Sequence, residues 1–109
     1  MKYHLVSGGC GFVGRNMVRR LLAATGDRVF MVDDLSIGMH PSLWIENYRS
    51  EKYKDIEIIG SDRRLFFWKG DFRNLLFFMR ENPGYIQDKY NLRFDRFSDV
   101  FHFAAPLAK

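Results

Sequence analysis

Residues 3–14 read YHLVSGGCGFVG, and this stretch decides the fold. The apolar run at residues 3–6 predicts a buried strand, which ends at a cluster of glycines. Apolar residues then recur at helical spacing through Ala24, and Gly26 stands where a C-cap glycine is expected. A second apolar run at residues 28–32 ends at two aspartates. A strand, a glycine turn, a helix and a strand within about thirty residues predict a βαβ unit with parallel strands.

The rest of the chain extends this unit. A short helix is predicted within residues 41–51, an edge strand around Ile56, Ile58 and Ile59, a third core strand at residues 65–68, and a helix at residues 73–81. Residues 98–103 predict a fourth strand, and residues 85–96 receive no assignment. The pattern predicts an α/β fold: the N-terminal half of a Rossmann-type parallel sheet, with strand order 3-2-1-4 and helices on both faces.

Composition limits the classes of protein that remain. The 109 residues carry a formal charge of +4, are 47% hydrophobic and 28% charged, and fit one domain, residues 1–109. The basic residues are scattered, which argues against nucleic acid as a partner. No apolar run is long enough to cross a membrane. One cysteine and no convincing ligand spacing predict no metal site and a reducing, cytoplasmic location.

Three glycines carry the chemistry. Gly8, Gly11 and Gly14 form G-x-x-G-x-x-G, and Gly9, Gly11 and Gly14 form G-x-G-x-x-G. Such glycines allow a tight turn, a close approach of pyrophosphate to the backbone, and close packing of helix on strand. The anion then lies at the helix N-terminus, where unpaired N–H groups and the helix dipole favour negative charge. A P-loop is excluded, because no Gly-Lys-Ser/Thr follows.

An acidic residue follows at the distance that a dinucleotide site requires. Asp33 ends the second predicted strand, about 20 residues beyond Gly14, where it can accept hydrogen bonds from the adenosine ribose. Its charge, with that of Asp34 beside it, repels a 2′-phosphate and favours NAD over NADP. The alternative is a glycine-rich turn in a flavodoxin-like domain, with Asp33 merely solvated.

Cysteine and histidine each allow a functional and a structural interpretation. In the functional interpretation, the helix N-terminus acidifies the thiol of Cys10. In the structural interpretation, which we favour, Cys10 is a small residue in place of alanine. His4 and His102 fall in predicted strands and are expected in the core, whereas His40 is expected to be exposed.

Four blocks of sequence resemble the extended short-chain dehydrogenase/reductases. Residues 7–14 (SGGCGFVG) resemble TGGxGFIG, residues 32–38 (VDDLSIG) resemble VDNLSTG, residues 69–73 (KGDFR) resemble KGDIR, and residues 100–105 (VFHFAA) resemble VFHLAA. The branch is the NAD-dependent epimerase/dehydratase group, whose epimerases, dehydratases and decarboxylases act on nucleotide sugars. The resemblance therefore implies NAD as cofactor and a nucleotide-sugar substrate for the full-length protein.

The resemblance also implies individual roles. The pyrophosphate loop would comprise Gly8, Gly11, Phe12, Val13 and Gly14. Asp33 would hold the ribose, while Asp34, Ser36 and Gly38 would shape the adenosine loop. Asp71 would bind the adenine amino group, beside a backbone contact from Phe72, and Ala104 and Ala105 would line the wall facing the diphosphate and the nicotinamide-side ribose.

No catalytic residue is assigned. The family uses a Tyr-x-x-x-Lys pair on elements after the fourth strand, where the sequence stops, so a truncated and inactive chain is expected. The pairs Tyr48–Lys52 and Tyr85–Lys89 match the spacing but precede that strand, and we interpret both as chance. Two alternatives remain open: a non-catalytic dinucleotide-binding module, and a structural fragment without cofactor affinity. The bare fourth strand predicts self-association.

Overall fold

The computed structural model describes residues 2–53, 55–81 and 99–102. Its strands and helices follow in the order β1 (Tyr3–Ser7), α1 (Phe12–Ala24), β2 (Arg28–Asp33), a 3₁₀ helix (Pro41–Leu43), β3 (Ser50–Tyr53), β4 (Ile56–Ile59), β5 (Leu65–Lys69), α2 (Phe72–Glu81) and β6 (Asp99–His102).

One twisted sheet organises the described part of the chain, in the order β3-β4-β5-β2-β1-β6. The strands β5, β2, β1 and β6 are parallel. These are the third, second, first and fourth predicted strands, so the α/β class and the order 3-2-1-4 are confirmed. The chain moves from β1 to β2 in one direction and from β5 to β6 in the other. Right-handed crossovers therefore place α1 and α2 on opposite faces of the sheet.

An antiparallel hairpin departs from the prediction. The segment between β2 and β5 carries β3 and β4, and β4 pairs antiparallel with both β3 and β5. The predicted strand around Ile56 is present as β4, but it lies inside the sheet, and β3 forms the edge. Strand β3 reads SEKY. This sequence lacks the apolar alternation by which strands are recognised, because an edge strand needs polar and charged residues to discourage pairing with other chains.

The core lies on both faces of the sheet. On one face α1 contributes the buried Val18, which packs with Val6, Met31 and Phe67. On the other face, register aligns Leu5 with Phe30 and Phe30 with Phe66. The rings of Phe30 and Phe66 stack with centroids 5.9 Å apart. Because successive strand residues point to opposite faces, one short apolar run supplies both halves of the core.

The end of α1 is built by Thr25 and Arg64, and the predicted role of Gly26 is wrong. The backbone N–H of Thr25 donates to the carbonyl of Leu21, and its hydroxyl donates to the same oxygen at 2.6 Å. Gly26 does not have the positive φ that a glycine cap requires. The guanidinium of Arg64 donates to the carbonyls of Leu22, Thr25 and Asp27. The side chain of Arg64, just before β5, thus satisfies the carbonyls that a glycine cap would otherwise have helped to pair.

The stacked pair predicts a large loss of stability on truncation. Phe30→Ala removes a fully buried ring and leaves a cavity, so the free energy of unfolding should fall by about 3–5 kcal/mol. Phe77→Ala, at a side chain that is 63% exposed, should change it by less than about 0.5 kcal/mol. Urea unfolding of both variants measures the difference, and equal losses would contradict the assignment of the core.

Candidate functional site

The glycine turn connects the end of β1 to the start of α1. Gly8 has φ 79°, a left-handed conformation that favours glycine. The N–H groups of Gly8 and Gly9 both donate to the carbonyl of Val32, at 2.7 and 3.3 Å, which fixes the turn to β2. The N–H of Gly11 donates to the carbonyl of Gly8 at 3.2 Å and closes the turn.

The glycines have different neighbours. A Cβ on Gly14 would overlap the carbonyl oxygen of Gly8, and a Cβ on Gly9 would lie 2.6 Å from the Cβ of Met31. These two positions need glycine so that the helix and β2 can pack closely against the turn. At Gly11 the nearest atom to such a Cβ is the oxygen of Gly8, at an ordinary 3.6 Å. The protein itself therefore leaves the space above Gly11 open.

The N-terminus of α1 has no side-chain cap. Gly11 is the N-cap residue, and no side chain accepts a hydrogen bond there. The first turn of α1 contains no acidic residue. The first N–H groups of an α-helix have no partner within the helix, and the helix dipole adds partial positive charge there. Together with the open space at Gly11, this end of α1 fits an anionic group such as a pyrophosphate. Phe12 and Val13, which begin the helix, are 69% and 57% exposed.

Asp33 holds the glycine turn and the following loop with one carboxylate. Its Oδ2 accepts the N–H of Cys10 at 3.0 Å, and its Oδ1 accepts the N–H of Leu35 at 2.7 Å. A carboxylate offers about four acceptor positions, so both oxygens can accept further hydrogen bonds. The side chain is partly exposed. It thus has both the position and the remaining acceptor capacity that a ribose diol requires.

The loop after Asp33 folds back against the glycine turn. A Cβ on Gly38 would lie 2.7 Å from the carbonyl carbon of Cys10, and the N–H of Met39 donates to the oxygen of Cys10 at 3.1 Å. The N–H of Ser36 donates to Oδ1 of Asp34 at 2.9 Å. Hydrogen bonds from Ser36 hold the pKa of Asp34 below its usual value. Gly38 is therefore required for packing, while Asp34 and Ser36 remain exposed.

A network of side chains anchors the next part of this loop to the sheet. Nε2 of His40 lies 3.0 Å from Glu57, and the hydroxyl of Tyr48 donates to Glu57 at 2.6 Å. The His40 ring also meets Phe67 edge to face at 5.6 Å. His40, expected to be exposed, is only partly so, because the hairpin, which the sequence did not reveal, supplies Glu57. Burial raises the pKa of Glu57, but the hydrogen bonds from Tyr48 and His40 outweigh it and lower the pKa overall.

Tyr48 is thereby unsuited to act as a base. Burial and the bond to Glu57 raise the pKa of its hydroxyl above the usual value, whereas a catalytic tyrosine needs a lowered pKa. Its position on the β2–β5 connection agrees with the interpretation of Tyr48–Lys52 as chance spacing. Tyr85 and Lys89 lie outside the described residues.

Asp71 follows β5, two residues beyond Lys69. The strand register pairs Asp33 with Lys69, and the N–H of Gly70 donates to the backbone carbonyl of Asp33 at 2.9 Å. Oδ1 of Asp71 accepts the N–H of Arg73 at 2.6 Å and so caps α2, which begins at Phe72. Hydrogen bonds from Arg73 hold the pKa of Asp71 below its usual value. Asp71 is exposed and remains an anion on the same edge of the sheet as the glycine turn.

Cys10 fits the structural interpretation. Its side chain is completely buried, and burial, followed by the charge of Asp33, raises the pKa of the thiol. The direction is opposite to the acidification that the functional interpretation requires. His4 is also in the core, as expected; it is 4% exposed and its Nε2 lies 2.8 Å from Asp27.

The parallel strands bring most of the predicted residues to one place. The glycine turn, Asp33 and Asp71 follow β1, β2 and β5 at the carboxyl edge of the sheet, and β6 lies on the other side of β1. The strand order reverses between β1 and β6, which is where open α/β sheets bind ligands.

Ala104 and Ala105 lie outside the described residues. Within residues 2–53, 55–81 and 99–102, no group of three or more potential ligands could hold a metal, and no helix has the length and hydropathy of a membrane span.

The strand order, the glycine turn and Asp33 at the end of β2 together define the first half of a Rossmann-type fold. The chain resembles the structure of dTDP-glucose 4,6-dehydratase from Bacillus anthracis, which was solved in complex with NAD, with a TM-score of 0.57 and 20% sequence identity. The match covers 97% of this chain and 27% of the dehydratase chain. It confirms the resemblance at the level of the fold. No family model matches the sequence, and no curated protein matches it significantly.

The contacts of the glycines predict unequal effects of alanine. Gly14→Ala forces the new Cβ against the Gly8 carbonyl, so the turn and α1 must separate, and the free energy of unfolding should fall by more than about 2 kcal/mol. Gly26→Ala meets no atom within 4 Å and should be neutral or stabilising by about 0.4–1 kcal/mol. Thermal unfolding of both variants is the measurement, and a harmless Gly14→Ala would refute the close packing described for the turn.

Proposed function

We propose that this chain is the NAD-binding portion of an epimerase, dehydratase or decarboxylase that acts on a nucleotide sugar. The observation that carries the proposal is the uncapped start of α1 next to the carboxylate of Asp33, at the reversal of strand order. When bound, NAD would supply reversible hydride acceptance from a sugar carbon. The chain spans about a quarter of the dehydratase it resembles, 27% of that length, and the activity of the whole protein is part of this proposal.

In this proposal the pyrophosphate lies over the glycine turn. Gly8 and Gly14 give the turn its shape, while Gly11 leaves room for the phosphate oxygens and the first N–H groups of α1, at Phe12 and Val13, donate to them. Both phosphates are anions, and the positive end of the helix dipole stabilises them. The room at Gly11 supports this role, because a Cβ there would make only an ordinary 3.6 Å contact with the Gly8 oxygen and would occupy space that the phosphate needs.

The adenosine half then lies across the ends of β2 and β5. Asp33 accepts hydrogen bonds from both ribose hydroxyls while it keeps its bonds to Cys10 and Leu35. Asp34, Ser36 and Gly38 shape the loop around the adenosine, the side chain of Asp71 binds the adenine amino group, and the backbone of Phe72 makes a contact beside it. The carboxylates of Asp33, Asp34 and Asp71 together disfavour a 2′-phosphate, which carries further negative charge. The proposal therefore specifies NAD over NADP, with Ala104 and Ala105 facing the nicotinamide half.

The role of Asp33 predicts a measurable loss of affinity. Asp33→Ala removes a charged acceptor from the ribose and from two backbone N–H groups, so the dissociation constant for NADH should rise by about 10–100-fold, the effect of about 1–3 kcal/mol. The ratio of the dissociation constant for NADPH to that for NADH should fall at the same time. Asp62→Asn, at an exposed acid in the β4–β5 turn, is the matched control and should leave both quantities unchanged. Fluorescence titration and calorimetry give the constants.

Gly11→Ala separates ligand binding from folding in the same assay. Gly11 has an extended backbone, φ −77° and ψ 174°, which alanine adopts freely, so the fold should be retained while NADH binding is lost. Binding by Gly11→Ala at wild-type strength would exclude the glycine turn as the pyrophosphate site. Folded wild-type protein that binds no NADH would contradict the proposed function itself.

We further propose that β6 mediates self-association with a second copy of the chain. Within the described residues β6 pairs with β1 alone, and Val100 is 56% exposed. An exposed apolar strand edge is a template for pairing with another chain.

Light scattering after size exclusion tests the association. The wild-type chain should exceed the monomer mass, and Val100→Lys should return it towards the monomer, because a charge on the strand opposes burial in an interface. Phe77→Lys, which removes an exposed apolar side chain on α2, should leave the mass unchanged. A wild-type chain that stays monomeric at all concentrations tested would contradict the proposal.

A further inference from the structure

A pocket lies at the edge of the sheet opposite the glycine turn. Because β4 runs antiparallel to β5, the end of β4 and the start of β3 meet the amino end of β5. The pocket between them has a volume of about 320 Å³ and is lined by residues that include Arg49, Ser50, Glu51, Ile58, Ser61 and Arg63. Small-molecule pockets begin at about 300 Å³, so this one has room for a small ligand.

The β4–β5 turn has a defined backbone at this place. Gly60 has φ 89° and its N–H donates to the carbonyl of Arg49 at 2.8 Å, which joins the turn to the start of β3. Arg63 has φ 55°, a left-handed conformation that is uncommon for a residue with a side chain. The turn thus brings two arginines to the same pocket.

The charges of the pocket are not balanced. Nε of Arg63 lies 3.2 Å from Oε1 of Glu51, so these two side chains offset each other. The guanidinium of Arg49 is exposed and makes no hydrogen bond or ion pair with any residue that the structure describes. One full positive charge, with five N–H donors, therefore remains for a ligand. The hydroxyls of Ser50 and Ser61 add donors of the kind that bind phosphate oxygens.

We propose that this pocket binds the phosphate group of a small phosphorylated molecule. Arg49 contributes the unmatched charge and a planar pair of donors, which suits a phosphate. Glu51 orients Arg63 at the rim, and Ile58, which is only 1% exposed, lies beneath the pocket as part of the core. The site is independent of the proposed dinucleotide site, because a five-residue strand, β5, separates the two edges by about 17 Å.

Nuclear magnetic resonance of the wild-type chain tests the site with inorganic phosphate and phenyl phosphate as probes. Both should shift the amides of Gly60 and Ser61 in a saturable manner, because both present the same phosphate group. Phosphate bound at the glycine turn would not contribute to these shifts, since the glycine turn lies at the opposite edge of the sheet from Gly60 and Ser61. Arg49→Gln should raise the dissociation constants of both probes about tenfold or more, the usual effect of losing a charge-assisted hydrogen bond.

Lys52→Gln is the matched control. Lys52 lies on β3 and has the same charge, but it does not line the pocket. An unchanged affinity in this variant, beside a loss in Arg49→Gln, supports the site. Equal weakening in both variants would show only general attraction by positive charge and would overturn the proposal, as would the absence of saturable shifts at Gly60 and Ser61. Both exchanges are at exposed side chains, so neither variant should unfold.

Discussion

The carboxylate of Asp33 is the contact on which the candidate site depends. One oxygen accepts the N–H of Cys10, in the glycine turn, and the other accepts the N–H of Leu35, in the next loop. The backbone carbonyl of the same residue accepts the N–H of Gly70. A single residue at the end of β2 therefore fixes the connections that follow β1, β2 and β5. Charge-assisted hydrogen bonds of this kind are stronger than neutral ones, which suits a position that must stay rigid.

Contacts within the protein itself hold this edge of the sheet in place. Gly38 packs directly on Cys10, and Met39 donates to the Cys10 carbonyl, so the loop after β2 supports the turn after β1. Trp44 extends that support: its indole N–H donates to the Met39 carbonyl at 2.9 Å, and its own carbonyl accepts from Arg19 on α1. A site that is already arranged loses less conformational entropy on binding, and more of the interaction energy appears as affinity.

The sequence predicts the parallel part of the sheet because each strand there is a short apolar run, and in β1, β2 and β5 the run is closed by glycine or aspartate. It also predicts that the glycine turn, Asp33 and Asp71 meet, since parallel strands present their carboxyl ends at one edge. It does not predict β3, whose sequence SEKY is polar because the strand lies at an edge. It places the end of α1 at Gly26, whereas Arg64, distant in sequence, pairs the final carbonyls. The partial burial of His40 is not predicted either, because its partner Glu57 lies on the hairpin. Contacts between distant residues leave no local pattern. The individual roles of the site residues remain predictions.

The pairing of β1 with β6 has a consequence for the order of folding. It joins His4 to Asp99 and Val6 to Phe101, so it closes a loop that contains nearly the whole chain. The hairpin β3–β4, by contrast, joins neighbours in sequence. The entropy lost on closure grows with loop length, and contacts between distant residues slow folding. We therefore expect β6 to join the sheet last, after β1, β2 and β5 have assembled around Asp33. The pairing of β1 with β6 is then the last part of the sheet to form during folding and the first to open during unfolding.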